Sequence, residues 1–227
     1  MRENIRRSAV ASGRDPAEIT LVAVVKGVVP PDIATVAGLG VLDVGENRVQ
    51  EAVRKMPLLG GPFPGGLRFH LIGHLQRNKV KYTLGFHLIH SVDSLELAEA
   101  ISGFWSGNGK VAGMLVQVNM TGEPTKSGFP PALVKETLPR LAELSGLRVE
   151  GLMTIGRQGA GPEETRGVFR DLRRLRDACS GGGMEMERLS MGMSDDYRIA
   201  VEEGATILRI GRAIFGERRS RQVSHMG

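Results

Sequence analysis

The residue with the clearest chemical potential in this sequence is Lys26, which follows an uninterrupted apolar run. The run Leu21-Val-Ala-Val-Val25 is rich in β-branched residues, and Gly27 and two prolines follow shortly after the lysine. Such a run predicts a strand that is buried on both faces. A lysine at its end is partly desolvated, which favours the neutral, nucleophilic amine and permits a Schiff base with an aldehyde cofactor. The alternative is a lysine that extends its ammonium group into water.

Other polar residues lie in or after further apolar segments. Arg209 belongs to the apolar segment Ile207–Ile210, and a buried arginine requires a partner. Its guanidinium can donate to a ring nitrogen, since it has only donors, or it can pair with a carboxylate across the fold. Ser194 precedes Asp195-Asp196, where the last long helix is predicted to begin. Ser194 is therefore a helix N-cap, a phosphate ligand together with nearby backbone N–H groups, or both.

Three more residues complete the set of candidates at strand ends. Gly211 permits close approach of a ligand to the backbone, and Arg212 follows it with a cationic side chain. His74 follows another predicted strand and can bond a cofactor or cap a loop. His70 lies four residues earlier, but an intervening glycine breaks any helical face and no cysteine cluster is nearby, so the sequence predicts no metal site.

The elements that must position these residues alternate between short apolar segments and segments of helical periodicity. This alternation over 227 residues predicts an α/β fold of the (β/α)8 TIM barrel type, with residues 1–13 forming an extra N-terminal helix. An open, doubly wound sheet is the alternative, but the turn after the first strand holds only one glycine, Gly27. The candidate strands are Ile19–Lys26, Val41–Val44, Arg68–Ile72, His87–Ser91, Val111–Asn119, Arg148–Thr154, Glu187–Ser190 and Thr206–Ile210.

Local signals predict where several helices begin. Asp93-Ser94-Leu95-Glu96 supplies an N-cap and an early carboxylate, and Gly161-Pro162-Glu163-Glu164 supplies a proline and two carboxylates. The segment Pro131–Ser145 has an apolar stripe of helical spacing. The stripe comprises Leu133, Leu138, Leu141 and Leu144.

Composition limits the domain organisation and the class of protein. No Pro/Ser-rich linker divides the chain, so we expect one domain over residues 1–219 and a disordered tail over residues 220–227. Cys179 is the only cysteine, which fits a reducing compartment. The N-terminus has no apolar region typical of a signal peptide, and no apolar run is long enough to cross a bilayer. These features predict a cytoplasmic protein without membrane contact.

The net charge of the protein limits the classes of possible binding partner only in part. The net charge of +5 favours phosphate-bearing partners but does not distinguish a small molecule from a polymer. Aromatic residues make up 4% of the chain, which weakens a model of nucleic-acid binding by base stacking. We therefore expect no nucleic-acid partner.

Several motifs at the strand ends, taken in order, resemble the family of pyridoxal phosphate homeostasis proteins. The resemblance covers nearly the whole chain, to about Arg219. The matching stretches are Leu21-Val-Ala-Val-Val-Lys26, Gly45-Glu-Asn-Arg-Val-Gln-Glu51, His70-Leu-Ile-Gly-His-Leu-Gln-Arg-Asn-Lys79, His90-Ser-Val-Asp-Ser94, Gln117-Val-Asn119, Lys126-Ser-Gly128, Gly151-Leu-Met-Thr154, Leu189-Ser-Met-Gly-Met-Ser194 and Gly204-Ala-Thr-Ile-Leu-Arg-Ile-Gly-Arg-Ala-Ile-Phe-Gly216.

The resemblance implies a barrel like the N-terminal domain of alanine racemase, with pyridoxal 5′-phosphate in its mouth. It implies that Lys26 forms the Schiff base, that Asn47 lies beside the cofactor and that Arg209 faces the pyridine nitrogen. Ser194 and the backbone around Gly211 would hold the phosphate. The family often has Ser or Thr where this chain has Arg212, so Arg212 either replaces a hydroxyl contact with a charge or points away.

Two functions are compatible with that cofactor. The first is a non-catalytic protein of intracellular pyridoxal phosphate homeostasis, with PLP-dependent apo-enzymes as possible recipients. The second is an amino-acid racemase-like enzyme. Alanine racemases contribute a catalytic tyrosine from a further domain, whereas the tyrosines here are Tyr82 and Tyr197, and neither has an evident acid–base role. The sequence therefore favours the first function. We separately expect a monomer.

Overall fold

A computed structural model describes residues 1–61, 63, 66–181 and 185–216 of the chain. Within these ranges, parallel strands form a closed barrel in the order β1 to β8, so the (β/α)8 prediction is confirmed and an open sheet is excluded. Each strand overlaps a segment that the sequence predicts. The strands are β1 (Thr20–Val24), β2 (Asp43–Glu46), β3 (Arg68–Leu71), β4 (Leu88–Val92), β5 (Ala112–Gln117), β6 (Leu147–Met153), β7 (Arg188–Ser190) and β8 (Ile207–Ile210).

Helices connect most of the strands on the outside of the barrel. The connection from β3 to β4 contains a 3-10 helix, Arg77–Tyr82, instead of an α-helix. Two other short 3-10 helices span Pro16–Glu18 and Met56–Leu59. The α-helices are α1 (Arg2–Ala11), α2 (Pro30–Gly38), α3 (Val49–Lys55), α4 (Leu95–Gly107), α5 (Pro131–Ala142), α6 (Pro162–Cys179), α7 (Tyr197–Glu202) and α8 (Arg212–Phe215).

Most of the predicted helix starts are confirmed. Helix α1 is the expected extra N-terminal helix, and α6 begins at Pro162. Ser94 caps α4, because its side chain accepts a hydrogen bond from the backbone N–H of Leu97. The predicted tail, residues 220–227, lies outside the described residues.

Two details of the helix predictions are wrong. The helix predicted to begin at Ser194 is neither long nor capped there: α7 begins at Tyr197 and spans six residues. It stops early because Gly204, with φ +97°, adopts a left-handed conformation that ends the helix. In α5, Leu133 is 46% exposed, because the buried stripe starts one residue later at Val134 and continues with Leu138 and Leu141.

Side chains alternate between two apolar layers, as parallel strands require. A large outer core lies between the barrel and the helices. A second, separate cluster consists of Val22, Leu88, Leu115, Met153 and Ile207, contributed by five strands. These side chains fill part of the barrel interior, and the other inward positions are available to polar residues.

The first and last strands close the barrel. The register pairs Thr20 with Ile207 and Val22 with Arg209. Outside this seam, the guanidinium of Arg14 donates to the carbonyl oxygens of Val201, at 2.9 Å, and Ala205, at 2.8 Å. The beginning of the chain is thus attached to the last β/α unit. No helix in the described ranges is long and apolar enough to cross a membrane.

Candidate cofactor-binding site

The predicted site residues lie at the C-terminal ends of strands that share one direction. Because the barrel is closed and all strand pairs are parallel, these ends meet at a single rim. The structure therefore gathers residues that are far apart in the sequence. Lys26 follows β1, Asn47 follows β2, His74 follows β3, Ser194 follows β7, Arg209 lies within β8, and Gly211 and Arg212 follow β8.

Lys26 has an exposed side chain, which corrects the expectation of a partly desolvated amine. Its backbone is held on both sides. The N–H of Val25 donates to the carbonyl oxygen of Gly45 at 2.9 Å, and the N–H of Gly27 donates to a carboxylate oxygen of Glu51 at 2.6 Å. The peptide units flanking the lysine are thus anchored, while its amine remains accessible.

A group of three charges, of which Glu46 and Lys55 are buried and Glu51 is partly exposed, contributes to this anchoring, and we call it the lysine-support cluster. It comprises Glu46, Glu51 and Lys55. The Nζ of Lys55 lies 2.5 Å from Glu46, 2.8 Å from Glu51 and 2.7 Å from the carbonyl oxygen of Val25. Burial raises the pKa of the Glu46 carboxyl, and the adjacent Lys55 ammonium opposes that rise. Each buried charge therefore depends on the other.

Sequence reasoning missed this cluster. Glu51 and Lys55 are four residues apart on α3, a spacing that typically indicates an exposed helical ion pair. The available signal was Glu46, a carboxylate that follows the predicted apolar strand Val41–Val44 by two residues. Because the strand continues through Glu46, its side chain faces α3 and is fully buried.

Asn47 places an unsatisfied polar atom at the rim. Its side-chain carbonyl oxygen is buried and has no hydrogen-bond partner among the described residues. Burial of an unpaired carbonyl is costly, so a donor from a ligand would be stabilised there. The neighbouring loop packs tightly against it, because a Cβ on Gly73 would lie 2.3 Å from the backbone oxygen of Asn47.

His74 lies at the rim but has an exposed side chain. Its Nδ1 is 3.0 Å from a carboxylate oxygen of Asp93, and 58% of the side chain is exposed. This bond joins the loops that follow β3 and β4. The loop-capping alternative is thus observed, and cofactor contact by His74 stays a prediction.

Ser194 joins the loop that follows β7 to the first turn of α8. Its hydroxyl oxygen accepts the backbone N–H of Ala213 at 3.3 Å. It is not the N-cap of α7, whose N-cap position is Asp196. The N–H groups of Asp196 and Tyr197 both donate to the carbonyl oxygen of Met193. These helix-start N–H groups are therefore occupied, which narrows the expected phosphate site to Ser194 and the loop after β8.

The loop after β8 approaches the end of β1 closely. A Cβ on Gly211 would lie 3.3 Å from the Cβ of Val24, so a side chain at this position would crowd the first strand. Next along the chain, the exposed guanidinium of Arg212 pairs with the carboxylate of Asp195. Phosphate contact by Arg212 stays a prediction, and any such contact competes with Asp195.

Arg209 is 4% exposed and points into the barrel. It donates to the hydroxyl of Ser190 at 2.5 Å and to the carbonyl oxygen of Thr154 at 2.9 Å. The proposed carboxylate partner is thus replaced by a hydroxyl and a carbonyl. Burial lowers the pKa of Arg209 to about 10, so the group remains a cation at neutral pH. A guanidinium has five N–H donors, so donors remain for a ligand.

The Ser190 hydroxyl also belongs to a chain of polar contacts inside the barrel, which we call the interior chain. Its members are Asp43, His70, His90, Ser190 and Arg209. Asp43 Oδ1 is 2.9 Å from His70 Nε2, His70 Nδ1 is 2.9 Å from His90 Nε2, and His90 Nδ1 is 2.8 Å from Ser190 Oγ. His90 on β4 and Ser190 on β7 are not on neighbouring strands, so this last contact crosses the interior.

Sequence reasoning also missed the interior chain of polar contacts. The spacing of His70 and His74 indicates no metal site, and the side-chain partners of His70 are Asp43 and His90, on the two neighbouring strands. The signal was that both histidines lie at inward positions of adjacent strands. Recognising it requires the register between β3 and β4, which pairs His70 with Leu88.

The fold and the arrangement of the rim define the class of protein. The family model for the alanine racemase N-terminal domain matches residues 1–219. An alanine racemase from Clostridium difficile has a similar fold, with a TM-score of 0.73 at 16% identity over 97% of this chain and 57% of that protein. The class is therefore the alanine racemase N-terminal barrel.

Relatives of higher identity narrow this class. A pyridoxal phosphate homeostasis protein from Aquifex aeolicus is 42% identical over 96% of this chain and 95% of its own length. The structure of PipY from Synechococcus elongatus with PLP bound has a TM-score of 0.82 at 35% identity, and covers 93% of this chain and 99% of PipY. This chain belongs to the family of pyridoxal phosphate homeostasis proteins.

Proposed function

We propose that this protein binds pyridoxal 5′-phosphate as a Schiff base on Lys26 and serves pyridoxal phosphate homeostasis without catalysing a reaction. The observation that carries the proposal is that an exposed primary amine follows β1 while a buried guanidinium lies on the neighbouring strand β8. Lys26 follows β1, and Arg209 lies on β8, which is hydrogen-bonded to β1. An aldehyde and a ring nitrogen on one planar ligand would engage both groups.

The residues at the rim fit the chemical groups of this ligand. The unsatisfied oxygen of Asn47 calls for a polar ligand beside the end of β2. Arg209 retains N–H donors for a ring nitrogen and, with its pKa at about 10, would not give up a proton at neutral pH. The nitrogen therefore stays unprotonated, and the ring withdraws electrons less strongly. This property supports retention of the ligand over amino-acid chemistry.

The covalent step requires only Lys26 and the ligand. The neutral amine of Lys26 adds to the aldehyde carbon, a C=N bond forms, and the carbonyl oxygen leaves as water. The lysine-support cluster holds the backbone on both sides of Lys26 during this step. Ser194 and the backbone at Gly211 lie on adjoining loops after β7 and β8, where we place the phosphate.

The second candidate, a racemase-like enzyme, needs a further acid or base beside the ligand. Tyr197 is buried, and its hydroxyl accepts a hydrogen bond from Arg198 at 3.2 Å. Tyr82 lies on the 3-10 helix after β3, with the Lys81 ammonium above its ring. Both tyrosines thus have structural contacts, which supports the non-catalytic alternative.

Addition of pyridoxal phosphate to the purified protein tests the proposal. We expect a visible absorbance from the Schiff base, and borohydride reduction followed by peptide mass spectrometry should place the ligand on Lys26. Lys26→Ala should abolish this absorbance. An adduct on another lysine in the unsubstituted protein would contradict the proposal.

Lys126 is the matched control. Its ammonium pairs with Glu123 and donates to the carbonyl oxygen of Gly156 at 3.2 Å. The Lys126 ammonium therefore already has partners, whereas the Lys26 side chain is exposed. Lys126→Ala should keep the visible absorbance. Incubation of the loaded protein with L-alanine should yield D-alanine only at the rate of buffer with free pyridoxal phosphate, and a faster rate would favour the racemase.

The proposal extends to the cellular setting. We place the protein in the cytoplasm as a monomer that delivers its ligand to PLP-dependent apo-enzymes. The single cysteine, Cys179, is compatible with a reducing compartment. Mixing the loaded protein with an apo-enzyme, and following the recovery of that enzyme's activity, would test the delivery.

A further inference from the structure

The interior chain has chemically opposite ends. Asp43 is a carboxylate, which only accepts hydrogen bonds, and Arg209 is a guanidinium, which only donates them. Between these ends lie His70, His90 and Ser190, each of which can donate one hydrogen bond and accept another. When both imidazoles are neutral, the hydrogen bonds along the interior chain can all be donated in only one direction, from Arg209 towards Ser190 and from Ser190 through the two histidines to Asp43.

The direction follows link by link. His70 Nε2 must carry the hydrogen, because it faces Asp43. A neutral His70 then accepts at Nδ1, so His90 Nε2 must carry the hydrogen that lies between the two rings. His90 in turn accepts at Nδ1 from the Ser190 hydroxyl, which leaves a lone pair of Ser190 to accept from Arg209.

Burial supports the neutral state of both rings. It lowers the pKa of His70, although Asp43 opposes this effect, and it lowers the pKa of His90 well below its usual value. His70 and His90 both have 0% exposure. Neutral imidazoles therefore fit the interior at neutral pH, and the alternative of a charged ring beside Arg209 is disfavoured.

The interior chain connects two residues that flank the same strand. Val22 on β1 is paired with Asp43 on one side and with Arg209 on the other. The polar contacts connect Asp43 and Arg209 without passing through β1: they run through residues of β3, β4 and β7. The interior chain thus crosses the barrel interior and links a buried anion to a buried cation through aligned dipoles, which stabilise both charges in a medium of low dielectric constant.

We propose that Asp43 is a positioning residue for Arg209, acting through His70, His90 and Ser190 to fix the guanidinium toward the ligand. The inference rests on the proposed function in one respect, that Arg209 meets the ring of pyridoxal phosphate. With the Ser190 hydrogen directed at His90, the Ser190 oxygen is available to Arg209. Without Asp43, His70 can take the other tautomer, and the hydroxyl of Ser190 is free to turn toward Arg209 and repel it.

The first test needs neither a variant nor a ligand. In protein labelled with ¹⁵N-histidine, long-range ¹H–¹⁵N spectra report which ring nitrogen carries the hydrogen. We expect His70 and His90 to be neutral at pH 7, with the hydrogen on Nε2 in both. A hydrogen on Nδ1 of either ring, or a doubly protonated ring, would overturn the proposal whatever the protein binds.

The second test compares two substitutions of nearly equal size. Asp43→Leu removes the acceptor and should mix the tautomers of His70 and His90. It should also raise the Kd for pyridoxal phosphate by about fivefold, as expected for one weakened hydrogen bond to a charged group, and shift the visible absorbance maximum. Asp43→Asn keeps an oxygen that accepts from His70, so the tautomers should persist and the Kd should stay within about twofold.

The outcomes separate a positioning role from a structural one. If Asp43→Leu lowers the melting temperature but leaves the tautomers and the absorbance maximum unchanged, Asp43 is only structural and the proposal fails. If the unsubstituted protein shows the predicted tautomers but forms no adduct at Lys26, the proposed function fails while the orientation of the chain stands. His90→Phe, which breaks the chain at its centre with a similar ring, should reproduce the spectral shift of Asp43→Leu.

Discussion

The two key cations of the site are held in opposite ways. At Lys26 the neighbouring backbone is fixed by the charged side chains of Lys55 and Glu51, while the lysine side chain is exposed. At Arg209 the side chain itself is fixed, by Ser190 and Thr154, and is buried. The contacts around Lys26 thus fix the backbone and leave the amine free, whereas the contacts around Arg209 fix the guanidinium itself.

This difference matches the chemical task proposed for each residue. An amine that forms and breaks a covalent bond must rotate and exchange with water, so only its point of attachment benefits from rigidity. A group that selects one protonation state of a ring acts best when its donors are oriented in advance. The four predictions that follow test the comparison in order of decreasing effect.

The largest effect is expected from Lys55→Met. This change leaves the buried Glu46 carboxylate without its cation, and loss of one partner of a buried pair costs about 3–5 kcal/mol. The free energy of unfolding in urea should fall by that amount. Schiff-base formation should slow, because Val25 loses its hydrogen bond from Lys55 and the Glu51 carboxylate that holds Gly27 loses its cation. Arg54→Met, on the exposed face of the same helix, is the control and should change neither quantity.

Arg209→Met should affect binding far more than stability. Loss of hydrogen bonds to a charged donor should raise the Kd for pyridoxal phosphate by about tenfold to about a hundredfold. The free energy of unfolding without ligand should change by less than about 1 kcal/mol, because a buried cation is removed along with its contacts. A large loss of stability with an unchanged Kd would contradict the comparison, because it would show that Arg209 stabilises the fold and does not bind the ligand.

The pH dependence of stability should report on Asp43. Burial alone would raise the pKa of this carboxyl, but hydrogen bonds from His70 and Arg68 outweigh burial and lower it. A lowered pKa in the folded state contributes stability that is fully present above the unfolded value of about 4, and this contribution is lost progressively as the pH falls from that value through the lower pKa of the folded state. Asp43→Asn should therefore destabilise the protein at pH 7 and by a smaller amount at pH 3.

Urea unfolding of both proteins at the two pH values measures this difference. An equal loss of stability at pH 7 and at pH 3 would show that the charge of Asp43 is not what stabilises the fold.

The smallest effect is expected from Arg212→Ala. The Arg212–Asp195 pair is exposed, with 61% and 76% of the two side chains accessible, and such pairs contribute less than about 1 kcal/mol. Stability should hardly change, and the visible absorbance should remain. A marked rise in the Kd for pyridoxal phosphate, with no effect of the matched Arg198→Ala, would instead place Arg212 among the phosphate ligands.

The fold was predictable because each strand is short, apolar and bounded by turn residues. That pattern located all eight strands, and the order of strands in a barrel follows from their alternation with helices. The predicted site residues meet at one rim for the same reason, since parallel strands end on the same side. The length of α7 was not predictable from its start signals, because a left-handed glycine ends it after two turns.

The partners of the site residues were not predictable, because they depend on register and on helix docking. The exposure of Lys26 is decided by where β1 stops, two residues before the lysine. The environment of Arg209 depends on Ser190 and Thr154, which belong to other strands. The histidine pair required the register of β3 against β4, and the Glu46–Lys55 pair required the way that α3 docks on β2.

The seam between β1 and β8 has a consequence for biosynthesis. β1 emerges early from the ribosome, yet one of its two hydrogen-bonding neighbours is separated from it by most of the polypeptide. Until that neighbour is translated, the nascent chain carries an uncovered edge of apolar sequence, which is prone to association. Arg14 also lacks its acceptors, the carbonyl oxygens of Val201 and Ala205, until then. Truncation before residue 207 should therefore yield an aggregating product, whichever part of the mouth it retains.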